Sequence, residues 1–169
     1  MKVNVAQLRR EVGGIAAFEF REDFSSFDLG LEGLTFQSPV YAKLQVNNTG
    51  KSLFAHGVIE ADLKASCGRC LENMSYQLKF DYEDEWVFEP QATEEQLETS
   101  FIFDKDEFEI DELVLEQIVV NLPMKFICSP ECRGLCPVCG TNKNLNQCNC
   151  DTHVVDPRLA ALAKFKGLS

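Results

Sequence analysis

The sequence is poor in histidine: His56 and His153 are the only two in 169 residues. An open, histidine-rich catalytic zinc site cannot be built from so few imidazoles. No stretch approaches the ~20 consecutive apolar residues of a membrane-spanning helix. The opening MKVNVAQLRREVGG has no apolar core of a secretory signal. Together these absences predict a cytoplasmic protein with no membrane contact. Motifs of catalysis are missing too, with no glycine-rich phosphate loop, no HExxH and no serine on a nucleophile elbow. Basic residues are outnumbered, 16 against 27 acidic, for a net charge of −11. Such a chain is repelled by naked nucleic acid unless a local basic patch intervenes, and no DNA partner is expected.

The charge is unevenly spread. Residues 71–112 carry 2 basic and 15 acidic side chains, whereas residues 113–169 carry 6 basic and 4 acidic. The cations of that last third are Lys125, Arg133, Lys143, Arg158, Lys164 and Lys166. They are the candidates for touching RNA, or else they only keep a cysteine-rich segment soluble. With 45% hydrophobic residues, 13 of the side chains being Phe, the chain has the material for a buried core.

Local patterns divide the chain. VAQLRREV (5–12) reads as a short helix with Asn4 as N-cap, stopped by Gly13 and Gly14, and IAAFEF (15–20) as a strand. PVYAKLQVNN (39–48) alternates, placing Val40, Ala42, Leu44 and Val46 on one face, and NTGK supplies a turn. An extended run over 52–67 has Phe54, Val58 and Leu63 among its apolar residues. LENMSYQLKFDYEDEWVF (71–88) alternates again, with Met74, Tyr76, Leu78, Phe80 and Tyr82 on one face. Three such runs joined by short turns predict an antiparallel meander. The acidic stretch 89–100 reads as a short exposed helix or a loose connection, and 101–110 as one more strand. Asp111 is placed as N-cap of a helix over 112–122 that Pro123 ends, and Asp156-Pro157 starts a tail helix over 158–166.

The eight cysteines come in four close pairs: Cys67/Cys70, Cys128/Cys132, Cys136/Cys139 and Cys148/Cys150. In a reducing compartment clustered cysteines point to metal rather than disulfides. Zinc prefers four thiolates in a tetrahedron, and two cysteines three positions apart reach one ion when the backbone turns tightly between them. CPVCG, with Gly140 after its second cysteine, fits such a knuckle. CGRC, between two expected strands, fits a hairpin tip. Eight thiolates suffice for two closed sites, so one or two structural Zn²⁺ are expected. Cheap loop closure favours Cys136, Cys139, Cys148 and Cys150 as one site, leaving Cys67, Cys70, Cys128 and Cys132 as the other. An arrangement with Cys128, Cys132, Cys136 and Cys139 around one ion competes. His153 could replace a ligand, and His56 reads as structural.

CGRCLE (67–72), followed by the acidic segment and by EIDELVLEQIVVNLPMKFICSPECRGLCPVCGTNKN (109–144), resembles the YceD family, also called large ribosomal RNA subunit accumulation proteins. The resemblance is most specific in the ID-L---E-I---LP stretch and the GLCP-CG-N cluster after it. CxRCL around Cys67 and Cys70 is its second anchor. It implies a role in the accumulation or processing of large-subunit ribosomal RNA, and hence in ribosome assembly. It carries over no catalytic residue. It also implies that the later cysteines are dispensable in some members, which suits grouping Cys67 and Cys70 with Cys128 and Cys132.

The expectation is therefore an α+β fold. An antiparallel sheet with few helices, curled toward a barrel, fills residues 1–125, and a cysteine-rich zinc module with a C-terminal helix fills 126–169. Its role would be that of a non-enzymatic accessory factor acting on a ribosomal protein or a large-subunit RNA precursor. A metal-dependent RNA-maturation enzyme, with Mg²⁺ among Asp81–Glu112, and a thiol redox sensor are the rival readings.

Overall fold

The computed structural model describes residues 1–31 and 33–151. The fold is broadly α+β and mostly sheet. Its strands are β1 (Lys2–Asn4), β2 (Ile15–Glu22), β3 (Thr35–Phe36), β4 (Val40–Asn48), β5 (Leu53–Ser66), β6 (Asn73–Phe88), β7 (Phe101–Phe103) and β8 (Glu107–Glu109). The helices among the described residues are α1 (Glu94–Thr99) and α2 (Asp111–Val120). The described residues fall into two compact units, one of Met1–Ser66 with Asn73–Met124, the other of Cys67–Glu72 with residues 125–151.

The first unit is organised by the long β5–β6 hairpin, paired without interruption from Leu53↔Trp86 to Ser66↔Asn73. β4 pairs antiparallel with the first half of β5, and β3 with its far end at Thr35↔Lys64, so two short strands share one edge of a long one. β2 continues the sheet beyond β4. The inward face follows the alternation in the sequence: Val40, Ala42, Leu44 and Val46 of β4 are buried, as are Leu78, Tyr82 and Trp86 of β6. On β5 the buried residues are Leu53, Ala55, Ile59, Ala61, Leu63 and Ala65. Phe54 and Val58 therefore lie on the opposite face from Leu63, since successive strand residues alternate sides.

β7 joins β6 in parallel, which makes the sheet mixed rather than wholly antiparallel. A parallel neighbour needs a crossover of about a dozen residues, and the acidic segment 89–100 supplies it, with α1 inside. Thr93 caps α1 by accepting from the Gln96 backbone N–H, while the Gln96 side chain returns a bond to Thr93. Among the described residues β2 and β7 are the two unpaired ends of the sheet, so the expected barrel-like curl does not close.

Three further expectations are corrected. Residues 5–12 form only a 3-10 turn at Leu8–Arg10, because Met1, Val3 and Val5 are buried at strand-like spacing and Asn4 closes a turn onto the Ala6 N–H. The segment 101–110 makes two strands, not one. Asp104–Asp106 turns the chain, and β8 pairs with β1 in a separate two-stranded sheet. Phe101, Phe103 and Phe108 from its two arms pack together, and Phe101 and Phe108 meet Trp86 edge-on. Asp111 is the first residue of α2 rather than its N-cap, and its carboxylate accepts from the Met1 amino group at 2.6 Å. The tail helix expected over 158–166 lies outside the described residues.

Two polar devices, one buried and one partly exposed, fix the N-terminal segment. Asn48 donates to the Leu8 carbonyl at 2.8 Å and accepts from the Gly50 N–H. Arg9 pairs with Asp106, and its guanidinium lies 3.5 Å over the Phe88 ring. Gly57, in mid-β5, marks a close backbone approach: a Cβ there would stand 2.0 Å from the Lys43 carbonyl oxygen. Gly57→Ala is therefore expected to overpack the β4–β5 junction, costing about 2–3 kcal/mol and lowering the melting temperature by at least about 4 °C in thermal unfolding.

Candidate metal centres

Four pairs of cysteines become two groups of four: Cys67, Cys70, Cys128 and Cys132, and Cys136, Cys139, Cys148 and Cys150. Within each group all four sulfurs lie within 4.8 Å of one another. This is the pairing favoured by loop closure, and Cys128/Cys132 does not join Cys136/Cys139. In the first group Cys67 Sγ stands 3.9 Å from Cys132 Sγ, and Cys70 Sγ 3.7 Å from Cys128 Sγ. Four sulfurs at ~2.3 Å from a tetrahedral ion are separated by about 3.8 Å, so the donor set and the spacing both fit zinc.

Each group is built on the same turn. In Cys67–Glu72 the Leu71 N–H donates to the Cys67 carbonyl at 2.9 Å and the Cys67 N–H to Glu72 at 2.9 Å. In Cys136–Thr141 the Gly140 N–H donates to Cys136 at 2.9 Å and the Cys136 N–H to Thr141 at 2.8 Å. The residue after the second cysteine is left-handed in both, Leu71 at φ 61° and Gly140 at φ 73°. Glycine takes that conformation without strain, leucine does not. The first knuckle thus holds with a side chain what the second holds with glycine.

The turn aims backbone N–H groups at the first sulfur of each knuckle. Burial raises the Cys67 thiol, but N–H groups of Cys128, Arg69 and Cys70 outweigh it and bring it down to about 6. N–H groups of Cys139 and Val138 lower Cys136 in the same way. The Thr141 hydroxyl, 3.2 Å away, and the Thr141 N–H bring Cys139 down to about 6. Other thiols of each group move the opposite way. Hydrogen bonds with Cys132 and Cys67 and burial push Cys128 up to about 12, and those with Cys139, with burial, push Cys150 up to about 12.

Residues between the cysteines complete the frame. Arg69 donates to the carbonyls of Pro130 and Cys132, both at 3.1 Å, and accepts from the Leu135 N–H at 3.0 Å. Asn144 donates to Cys132 Sγ at 3.3 Å, which lowers that thiol. Gly134 is left-handed, and a Cβ on it would sit 2.9 Å from the Arg69 carbonyl. Residue types alone point to neither Asn144 nor Thr141; Arg69 belongs to the CxRCL pattern, and Asn142, which bonds Glu72, to the GLCP-CG-N pattern. A cleft of about 280 Å³ borders the first group, and its walls carry only Glu72 and Glu131 as ionisable groups besides cysteines.

The other candidates fare differently. Lys125 and Arg133 are exposed and Lys143 half-buried, all three in the same unit as the cysteines. Arg158, Lys164, Lys166 and His153 lie outside the described residues. His56 stacks on Phe54 and joins neither cysteine group. Among the described residues no carboxylates of the acidic segment gather as a metal-ligating group. No helix among those residues is long and apolar enough to cross a membrane.

The sequence was compared with known proteins. A protein of Mycobacterium tuberculosis described as uncharacterised is 24% identical over 99% of this chain and 82% of its own length. The protein YlbN of Bacillus subtilis is 27% identical over 76% of this chain and 74% of its own. A chloroplastic maize protein, named a large ribosomal RNA subunit accumulation protein YCED homolog, is 24% identical over 83% of this chain and 59% of its own. No solved structure matches. The profile of one family, described as Large ribosomal RNA subunit accumulation protein YceD, matches residues 55–166, which take in all eight cysteines. The chain belongs to the YceD family.

Proposed function

We propose that this protein is a cytoplasmic, non-enzymatic accessory factor in the accumulation of large-subunit ribosomal RNA, folded around two structural zinc ions. The observation that carries the reading is the closure of both cysteine groups. Four thiolates saturate a tetrahedral ion and leave no position for water or substrate, so the metal acts on the fold and not on a bond. The family description and the name of the maize relative supply the ribosomal context. The charge supplies the kind of partner. A chain of net charge −11 suits a basic ribosomal protein, or precursor RNA already carrying such proteins, better than bare RNA. Any direct RNA contact falls to Lys125, Arg133 and Lys143, with Arg158, Lys164 and Lys166 beyond them.

The rival metalloenzyme needs an open ion or a carboxylate cluster, and the geometry favours neither. In cell lysate the protein is expected to co-sediment with large-subunit precursors, and its loss to lower large-subunit RNA relative to small. Unchanged ribosome profiles after gene deletion would sink the ribosomal part of the reading.

Elemental analysis of the purified chain should give two zinc ions. Replacing Cys67 and Cys70 by Ser should leave one, as should replacing Cys128 and Cys132, and so should all four together. Replacing Cys67, Cys70, Cys136 and Cys139 should leave none. The pairing of Cys128/Cys132 with Cys136/Cys139 predicts no ion for either quadruple variant, so the one lacking Cys67, Cys70, Cys128 and Cys132 decides between them.

Zinc binding must also respond to pH. Cys128 and Cys150, pushed up to about 12, hold their protons at neutral pH, and the metal has to displace them. Each proton released makes apparent affinity rise about tenfold per pH unit. Affinity should thus increase with pH above 7. It should fall more steeply below pH 6, where Cys67 and Cys139 are protonated as well. Chelator competition at several pH values measures the slope, and a flat profile would contradict it.

A further inference from the structure

The two cysteine groups share one small hairpin. Its strands meet at the Leu135↔Asn142 bridge and are tied by the Lys143 N–H to the Gly134 carbonyl at 2.9 Å. Its tip is the Cys136–Thr141 knuckle, which holds half of the second group. Its base is at the first group, where the Arg133 N–H donates to Asn144 Oδ1 at 2.7 Å and Asn144 Nδ2 donates to Cys132 Sγ at 3.3 Å. Asn142 keeps that amide in place by accepting from both the backbone N–H and the side chain of Asn144, each at 3.0 Å, while its own amide donates to Glu72 at 3.2 Å. The Leu135 N–H to Arg69 bond reaches the other knuckle, whose Arg69 N–H points at Cys67 Sγ from 3.5 Å.

We propose that the two metal sites are thermodynamically coupled through this hairpin, with Asn144 as the positioning residue that transmits the coupling to Cys132. This rests on the reading of both groups as metal sites. An ion at the second site pins the tip through Cys136 and Cys139, and pinning the tip fixes the register that places Asn142 and Asn144 at the base. Asn144 then presents its N–H to the Cys132 sulfur before any ion arrives at the first site, which spares the first site the cost of ordering it. Linkage makes the effect mutual, so an ion at the first site tightens the second by the same factor. Asn144 has no other duty that explains its arrangement, because its side chain is exposed and its hydrogen bonds all run along this path. The sequence separation is small, so the coupling needs no movement elsewhere in the fold.

The test uses the full-length chain with Zn²⁺ and Co²⁺ as probes. Chelator competition first gives the number of ions and their affinities in the unmodified protein. With the second site removed by Cys148→Ser and Cys150→Ser, the affinity of the first site should fall at least about fivefold, within the usual range of coupling between sites. Asn144→Ala, which keeps all eight thiols, should lower first-site affinity by about 10–100-fold, as the loss of a group bonded to a metal ligand does. It should also shift the sulfur-to-cobalt absorption of that site, a signature that mere loss of stability would not give. Adding Asn144→Ala to the second-site variant should cost little more than the larger single loss, since both cut one path. An unchanged first-site affinity in the second-site variant, or losses that multiply, would overturn the coupling and leave the metal sites standing. An unmodified chain that binds no ion would overturn both together. Should the second-site variant fail to fold, the Asn144→Ala spectra and affinities at both sites decide alone, and an unshifted spectrum with unchanged affinity refutes the proposal.

Discussion

The structure depends on one convergence, that of Cys67 and Cys70 on Cys128 and Cys132. The sulfurs that meet at 3.7 and 3.9 Å are 58 and 65 residues apart in sequence. Closing a loop of that length costs on the order of 3–4 kcal/mol, while the eight intervening residues between Cys139 and Cys148 cost nearer ~2 kcal/mol. Thiol contacts and a few backbone hydrogen bonds offset little of this. A zinc ion gripped by four thiolates, at roughly 10–16 kcal/mol in small zinc modules, exceeds it several times over. Among the described residues from Lys125 to Asp151, the buried apolar side chains are Cys132 and Cys136. An ion bound in each group would supply stabilisation of the size that so small a unit needs.

The long β5–β6 hairpin makes the convergence reproducible. Its pairing closes at Ser66↔Asn73, and the six residues between are the first knuckle. A shift of register by one residue would turn the inward face outward, burying Lys79 and Asp81 and exposing Tyr82 and Trp86. The hydrophobic pattern of the sheet therefore fixes at which residues the hairpin pairing ends and the knuckle begins. Trp86 Nε1 donates to the Tyr82 hydroxyl at 3.0 Å, which satisfies two large buried side chains on the inward face of β6 at once.

Much of this was legible in the sequence. Strict alternation over 39–48 and 71–88 revealed both the strands and their inward faces, because a half-buried sheet imposes a period of two. Cysteine spacing revealed the knuckles, and loop length alone favoured the grouping that forms. The misreadings have physical causes. Residues 5–12 have helical composition, yet Val3, Val5 and Leu8 follow the core instead of the local propensity. Phe54 and Val58 are apolar but face away from the side where Leu63 is buried, a case where residue type misled and parity did not. The pair β6–β7 is parallel through a crossover of acidic, apolar-poor sequence that carries no sign of strand order. Asn144 was invisible because a polar loop residue earns its place through partners that only the fold brings near, and Arg69, though part of the CxRCL pattern, carried no sign of the carbonyls it meets.

The left-handed Leu71 bears on how such a site is selected. Where the second knuckle uses Gly140, the first spends strain on a side chain that is 66% exposed and packs on little. Strain of this kind, of order 1 kcal/mol, persists only where surrounding structure over-determines the backbone. Here the two knuckle hydrogen bonds and the cluster of four sulfurs do so. A site that tolerates leucine at a glycine position is held from more than one side, and this agrees with its place as the long-range closure. The second site, closed by a short loop, has no such reserve and takes the unstrained residue.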